Sequence, residues 1–60
     1  MLYDKIREIA QMKGISITNL EIKAGLSNGA IGKWKSSDPK ISNVQAVANV
    51  LGVKLNELVE

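Results

Sequence analysis

The sequence predicts an all-α fold, a compact bundle of five short helices in which a tight turn joins the second to the third. Three observations lead there. Apolar residues recur at helical spacing along most of the chain, and no useful stretch alternates with the period of two that a strand needs. Gly14, Gly25 and Gly52 each close an apolar-periodic run at the position just past a helix end, where glycine is favoured. Finally, 60 residues without a cysteine allow one small domain held by its apolar core alone. A chain this short buries only about 60% of the surface that its unfolded form exposes.

The elements follow in order. Leu2, Ile6 and Ile9, with Ala10 beside them, define a first helix over 2–13, which Gly14 stops. Ile15 is a linker residue able to pack back onto the core. Ser16 is a suitable N-cap for a second helix over 17–24, with Leu20 and Ala24 on one face. Gly25 ends it and Leu26 lies in the turn. Ser27 then caps a third helix over 28–36, anchored by Ile31 and Trp34. "SSDPK" breaks the pattern, because Pro39 disfavours helix at Asp38. Ser42 and Gln45 have the spacing of a capping box for a fourth helix over 43–51. Val44, Val47, Ala48 and Leu51 form its buried stripe. After Gly52, Val53, Leu55, Leu58 and Val59 suggest a short fifth helix over 55–59.

Two short helices joined through Gly25 and so few residues cannot lie antiparallel. They meet at roughly 90–120°, the geometry of a helix-turn-helix. Leu20, Ala24, Leu26, Ile31 and Trp34 are the apolar residues that would hold this corner.

The formal net charge is only +2, but its distribution is uneven. From residue 13 to residue 40, Lys13, Lys23, Lys33, Lys35 and Lys40 stand against Glu21 and Asp38, a net +3; the remainder nets −1. Positive charge gathered around the corner suits a polyanionic partner, or else a solvated face carrying a few extra lysines. With no histidine the commonest general base and metal ligand are both missing, and with no cysteine there is no thiolate site. Asp4 and Glu8 sit one helical turn apart beside Lys5 and Arg7, which reads as surface ion pairing. "GLSNG" lacks the lysine spacing of a phosphate-binding loop. An enzyme is not expected, and neither is a cofactor, a metal or a small-molecule ligand. The start, "MLYDKIREIAQ", is not a signal peptide and no run is long enough to span a membrane, so a cytoplasmic, nucleoid-associated location is expected.

Nearly the whole chain, roughly Leu2 to Val59, resembles the helix-turn-helix domain of phage repressors and Cro proteins, the XRE type. The resemblance rests on Leu20, Gly25, Ile31 and Trp34, on "LSNGAIGKWK" and on the ending "VANVLGVKLNELV". It implies a lambda repressor-like fold that regulates transcription. Such a domain binds a double-stranded operator as a homodimer on a pseudo-palindrome, with its third helix in the major groove. Carried over by position, Asn28, Gly29, Gly32 and Lys33 face the bases, together with Ser27 at the groove edge. Ser16, Ile17, Ser27, Lys35, Ser36, Lys40, Ser42 and Asn43 lie along the flanking phosphates. The family also implies a dimer face at Leu55, Leu58 and Val59, with Leu2 and Tyr3 nearby; the alternative is that these residues complete a small core.

Two positions depart from the lambdoid pattern. Ile17 stands where glutamine is common, so a contact there must come from backbone N–H groups at the helix start. Glu21 stands where alanine is common. Gly29 offers it room and Lys33 a partner.

On a helical wheel Ala30, Ile31 and Trp34 gather on one side, and Asn28, Gly29, Gly32, Lys33 and Ser36 on the other, flanked by Lys35. Each glycine costs a helix interior about 1 kcal/mol relative to alanine. A bare face lets the backbone approach the groove floor; the competing explanation is helix–helix contact within the fold. Asn28 either pairs with adenine or assists the cap, and Lys33 either reads guanine, reaches phosphate or is merely solvated. Trp34 belongs in the core by its spacing from Ile31. The leading functional expectation is a sequence-specific DNA-binding repressor. A protein-interaction module on the same fold, an antitoxin or adaptor, is the alternative.

Overall fold

The structure, a computed structural model, describes residues 2–59. It contains four α-helices and one 3₁₀ helix: α1 (Leu2–Met12), α2 (Ile17–Ala24), η1 (Ile31–Lys35), α3 (Ile41–Leu51) and α4 (Leu55–Val59). No strand occurs among the described residues. The radius of gyration is 9.9 Å, against about 10 Å expected for a compact chain of this length.

One punctuation device repeats three times. After α1, α2 and α3, the residue following the glycine sends its N–H back five residues: Ile15 to Ala10 (2.9 Å), Leu26 to Glu21 (2.8 Å) and Val53 to Ala48 (3.1 Å). The glycine bonds three residues back in each case, completing a Schellman motif. Ile15, Leu26 and Val53 then pack against the core. A glycine followed by an aliphatic residue therefore turns the chain and fastens the turn in one step. Gly25 does this at the corner, with φ 74°.

The core draws on every element: Ile6 and Ala10 from α1, Leu20 from α2, Ile31 and Trp34 from η1, Val44, Val47, Ala48 and Leu51 from α3, and Leu58 from α4. α2 and α4 pack on α3, while η1 packs on α1. Ser16 caps α2 as its sequence suggests, its Oγ accepting the Asn19 N–H at 3.1 Å.

Three expectations are corrected. The bundle has four α-helices, and the third predicted helix is instead a turn followed by η1, which starts at Ile31. Gly29 sits at φ +85°, a left-handed conformation that no α-helix accommodates, so helix cannot begin at Asn28. Ser27 does not cap this segment through its side chain; its carbonyl accepts the Ala30 N–H at 3.1 Å. Nor is Ser42 a cap. α3 starts two residues earlier than expected, with Lys40 in the capping position and its carbonyl accepting from Asn43 and Val44. Gln45 turns along the helix and donates to Asn49 Oδ1 at 2.9 Å. The buried stripe from Val44 to Leu51 fixes the phase of α3 with either start, so the cap is free to shift.

Candidate nucleic-acid interface

The corner between α2 and η1 is held by an apolar pair and a carboxylate. A 3₁₀ helix has three residues per turn, so residues three apart eclipse each other. Ile31 and Trp34 therefore stack on one side of η1, and both are buried. The same period places Lys33 on one flank and Gly32 with Lys35 on the other. Lys35 folds back so that its Nζ lies 4.8 Å from the Tyr3 ring centroid. That cation–π contact ties η1 to α1.

The carboxylate is Glu21, 3% exposed and the one charged side chain buried among the described residues. Its Oε1 accepts the Gly29 N–H at 3.0 Å, and its Oε2 accepts the Ile31 N–H at 2.9 Å. The start of a helix leaves backbone donors without partners. Here a side chain from the preceding helix supplies acceptors that a local cap would ordinarily provide. Both oxygens point at N–H dipoles, which is how a carboxylate tolerates burial without a counter-ion. The expectation that Lys33 would pair with Glu21 is thus replaced by backbone partners, and Lys33 stays exposed. Gly29 does supply what the carboxylate needs, through its φ rather than through empty space.

Asn28, Gly29, Gly32 and Lys33 all lie at the surface of this corner. Gly29 belongs to the turn rather than to a helical face. Gly32 lies inside η1, and a Cβ added there would meet nothing within 4 Å. Neither position supports the alternative of helix–helix contact. Beside Asn28 opens a hollow of about 270 Å³ lined by Thr18, Glu21, Ile22 and Leu26.

Of the residues expected along the flanking backbone, Ser16, Ser27, Lys35, Ser36, Lys40 and Ser42 are exposed, while Ile17 and Asn43 are half-buried. Ser37, not singled out from the sequence, donates its Oγ–H to the Lys33 carbonyl at 3.0 Å and helps end η1. At the other end of the chain Leu58 is 2% exposed and belongs to the core, Leu55 is half-buried and Val59 is 53% exposed. The bonding of Glu21 is the main feature that residue-by-residue reading misses. Its signal was present: an acidic residue on the core side of α2, one position after the buried Leu20.

Among the described residues no cluster of acidic side chains is placed to hold a metal ion, and no helix is long and apolar enough to cross a membrane. No curated protein matches the sequence significantly. A family model described as helix-turn-helix matches residues 6–58, from the first buried isoleucine of α1 to the last buried leucine of α4. That span reaches into every element above, and the chain belongs to the helix-turn-helix family of the Cro/C1, XRE type, a family of DNA-binding regulators.

Proposed function

We propose that this chain is a sequence-specific repressor that binds a pseudo-palindromic operator as a homodimer. The observation that carries the reading is the exposure of Asn28, Gly29, Gly32 and Lys33 on a corner whose underside is fixed by Ile31, Trp34 and Glu21. In the proposed complex α2 crosses the backbone and the 28–35 segment enters the major groove. Asn28 presents an amide able to bond adenine N6 and N7 together, and Lys33 donates to guanine or to a phosphate. Gly32 leaves the backbone of η1 bare where it meets the groove floor. Lys40, Ser36, Ser42, Ser16 and the first N–H groups of α2 at Ile17 border the phosphates, and Lys35 flanks them from its seat on Tyr3.

With two strong readers per half-site, much of the affinity comes from phosphate contacts and from pairing of two copies. Val59 and Leu55 are the apolar residues that α4 leaves available for that pairing. Titration of labelled duplex at increasing salt tests the electrostatic part. The expected slope of log K against log salt is about −0.9 for each phosphate neutralised. Repression is tested by placing a selected site over a reporter promoter, where expression of the chain should lower output. Absence of binding to any duplex at low salt would turn the reading toward a protein-interaction module.

A further inference from the structure

The turn that carries the proposed reader also carries a reactive dipeptide. Asn19, Asn28, Asn43, Asn49 and Asn56 are followed in turn by leucine, glycine, valine, valine and glutamate. An asparagine amide is lost when the next backbone nitrogen attacks its Cγ. A side chain on the following residue obstructs that approach, and glycine has none. Asn28 is the one asparagine outside the helices, and it is exposed, beside a hollow of about 270 Å³ in which its amide has room to turn. Asn19, Asn43, Asn49 and Asn56 lie within α2, α3 and α4, where the helical backbone holds the following nitrogen away from ring closure.

One feature of the fold opposes the reaction. The attacking atom would be Gly29 N, and its N–H is already held by Glu21 Oε1 at 3.0 Å. A carboxylate acceptor stabilises the protonated amide, and the hydrogen bond fixes the plane of the peptide. Reaction then requires local opening of the corner, which releases Gly29 from Glu21.

We infer that Asn28–Gly29 is a latent self-modification site for which Glu21 is the latch. On release, a bond forms between Gly29 N and Asn28 Cγ, and the Cγ–Nδ2 bond breaks. Nδ2 leaves as ammonia with the proton from Gly29, giving a cyclic imide. Water then adds to one of its two carbonyls. Opening at Cγ yields an ordinary aspartate; opening at the main-chain carbonyl yields an isoaspartyl linkage through the side chain. Either product replaces an amide donor with a carboxylate. If Asn28 reads DNA as proposed above, the modified chain presents a negative charge to the groove and loses that base contact. The corner would thus carry its own route to inactivation, governed by how often α2 and η1 part.

Incubation of the full chain at mildly alkaline pH, followed by peptide mass spectrometry and isoaspartate detection, tests this without any DNA. The expected product is one mass unit heavier at residue 28, with the other four asparagines unchanged. Conversion in the folded chain should be slower by about tenfold or more than in the same chain unfolded in urea, reflecting the free energy of local opening. Glu21→Ala should shorten that gap wherever circular dichroism shows it folded. Equal rates in folded and unfolded wild type would overturn the latch, as would a folded Glu21→Ala that converts no faster than wild type. No conversion at Asn28 even in urea would overturn the site itself. Separating aged from fresh chain and titrating each with duplex then reports the consequence for binding. Equal affinities would remove Asn28 from the proposed interface and leave the chemistry standing.

Discussion

Glu21 shows how one side chain can set the geometry of the proposed reading surface without being part of it. It gathers two N–H groups that the turn and η1 cannot satisfy internally, and it is buried in doing so. Glu21→Gln keeps one acceptor oxygen and turns an NH₂ group toward the other donor. The expected cost is about 1–3 kcal/mol of stability, the penalty for a buried polar group left without its partner. Urea unfolding of the two chains measures it; equal midpoints at equal slope would show that the carboxylate is dispensable. Gly29 and Gly32 give a second contrast at this scale. Space is open around a Cβ at both, yet only Gly29 has a positive φ. Gly29→Ala should destabilise by about 1–2 kcal/mol, because an L side chain is strained in that region. Gly32→Ala should stabilise by about 0.5–1 kcal/mol, through the smaller entropy it loses on folding. It should weaken operator binding all the same. A stabilised Gly32→Ala with wild-type affinity would show that the bare backbone plays no part in binding.

At the scale of elements, the legible features were those with a strong period or a strong stop. Leu2, Ile6, Ile9 and Ala10 defined α1, and Val44, Val47, Ala48 and Leu51 defined α3, because an apolar stripe must face the core whichever residue starts the helix. The three glycine stops were equally legible, since the Schellman bonds need only a residue at ease with positive φ and an aliphatic residue after it. The third helix departs from its sequence pattern for a physical reason. The spacing of Ile31 and Trp34 fits a 3₁₀ turn as well as an α-turn, so it cannot tell the two apart. Helix cannot start at Asn28 because Gly29 has a positive φ, and the bond that holds Gly29 there reaches Glu21, eight residues away in sequence, where local patterns do not see it. The same limit applies to Ser27 and Ser42. Each has the right type for a cap, but the donors after Ser27 go to Glu21, and Ser42 lies inside a helix that already starts at Ile41. In the candidate interface, Asn28 and Lys33 are proposed from the family pattern and Ile31 and Trp34 are legible as anchors, while the bonds from Gly29 and Ile31 to Glu21 are not.

For the molecule as a whole, the small size of the core makes each buried anchor costly to lose. Leu58 is the clearest case, because α4 holds to α1 and α3 through this one fully buried side chain. Leu58→Ala should cost about 2–5 kcal/mol, a large part of what a domain of this size has to lose. Thermal unfolding followed by circular dichroism measures it. Val59→Ser, by contrast, should leave the melting temperature nearly unchanged and weaken association of two copies on DNA. If Val59→Ser instead unfolds the chain, α4 is a structural element alone and pairing must use another face.

The central claim is that the corner of α2 and η1 reads bases through Asn28 and Lys33. Selection of binding sites from random duplex, run in parallel on the wild-type chain and on Asn28→Ala, tests it most directly. Wild type should recover half-sites whose centres lie about 10 base pairs, one helical turn, or a multiple of that apart. Asn28→Ala should lose preference at one adenine in each half-site, worth about 1–3 kcal/mol, and keep the rest. Recovery by both chains of the same site, with the same preference at every position, would contradict the account.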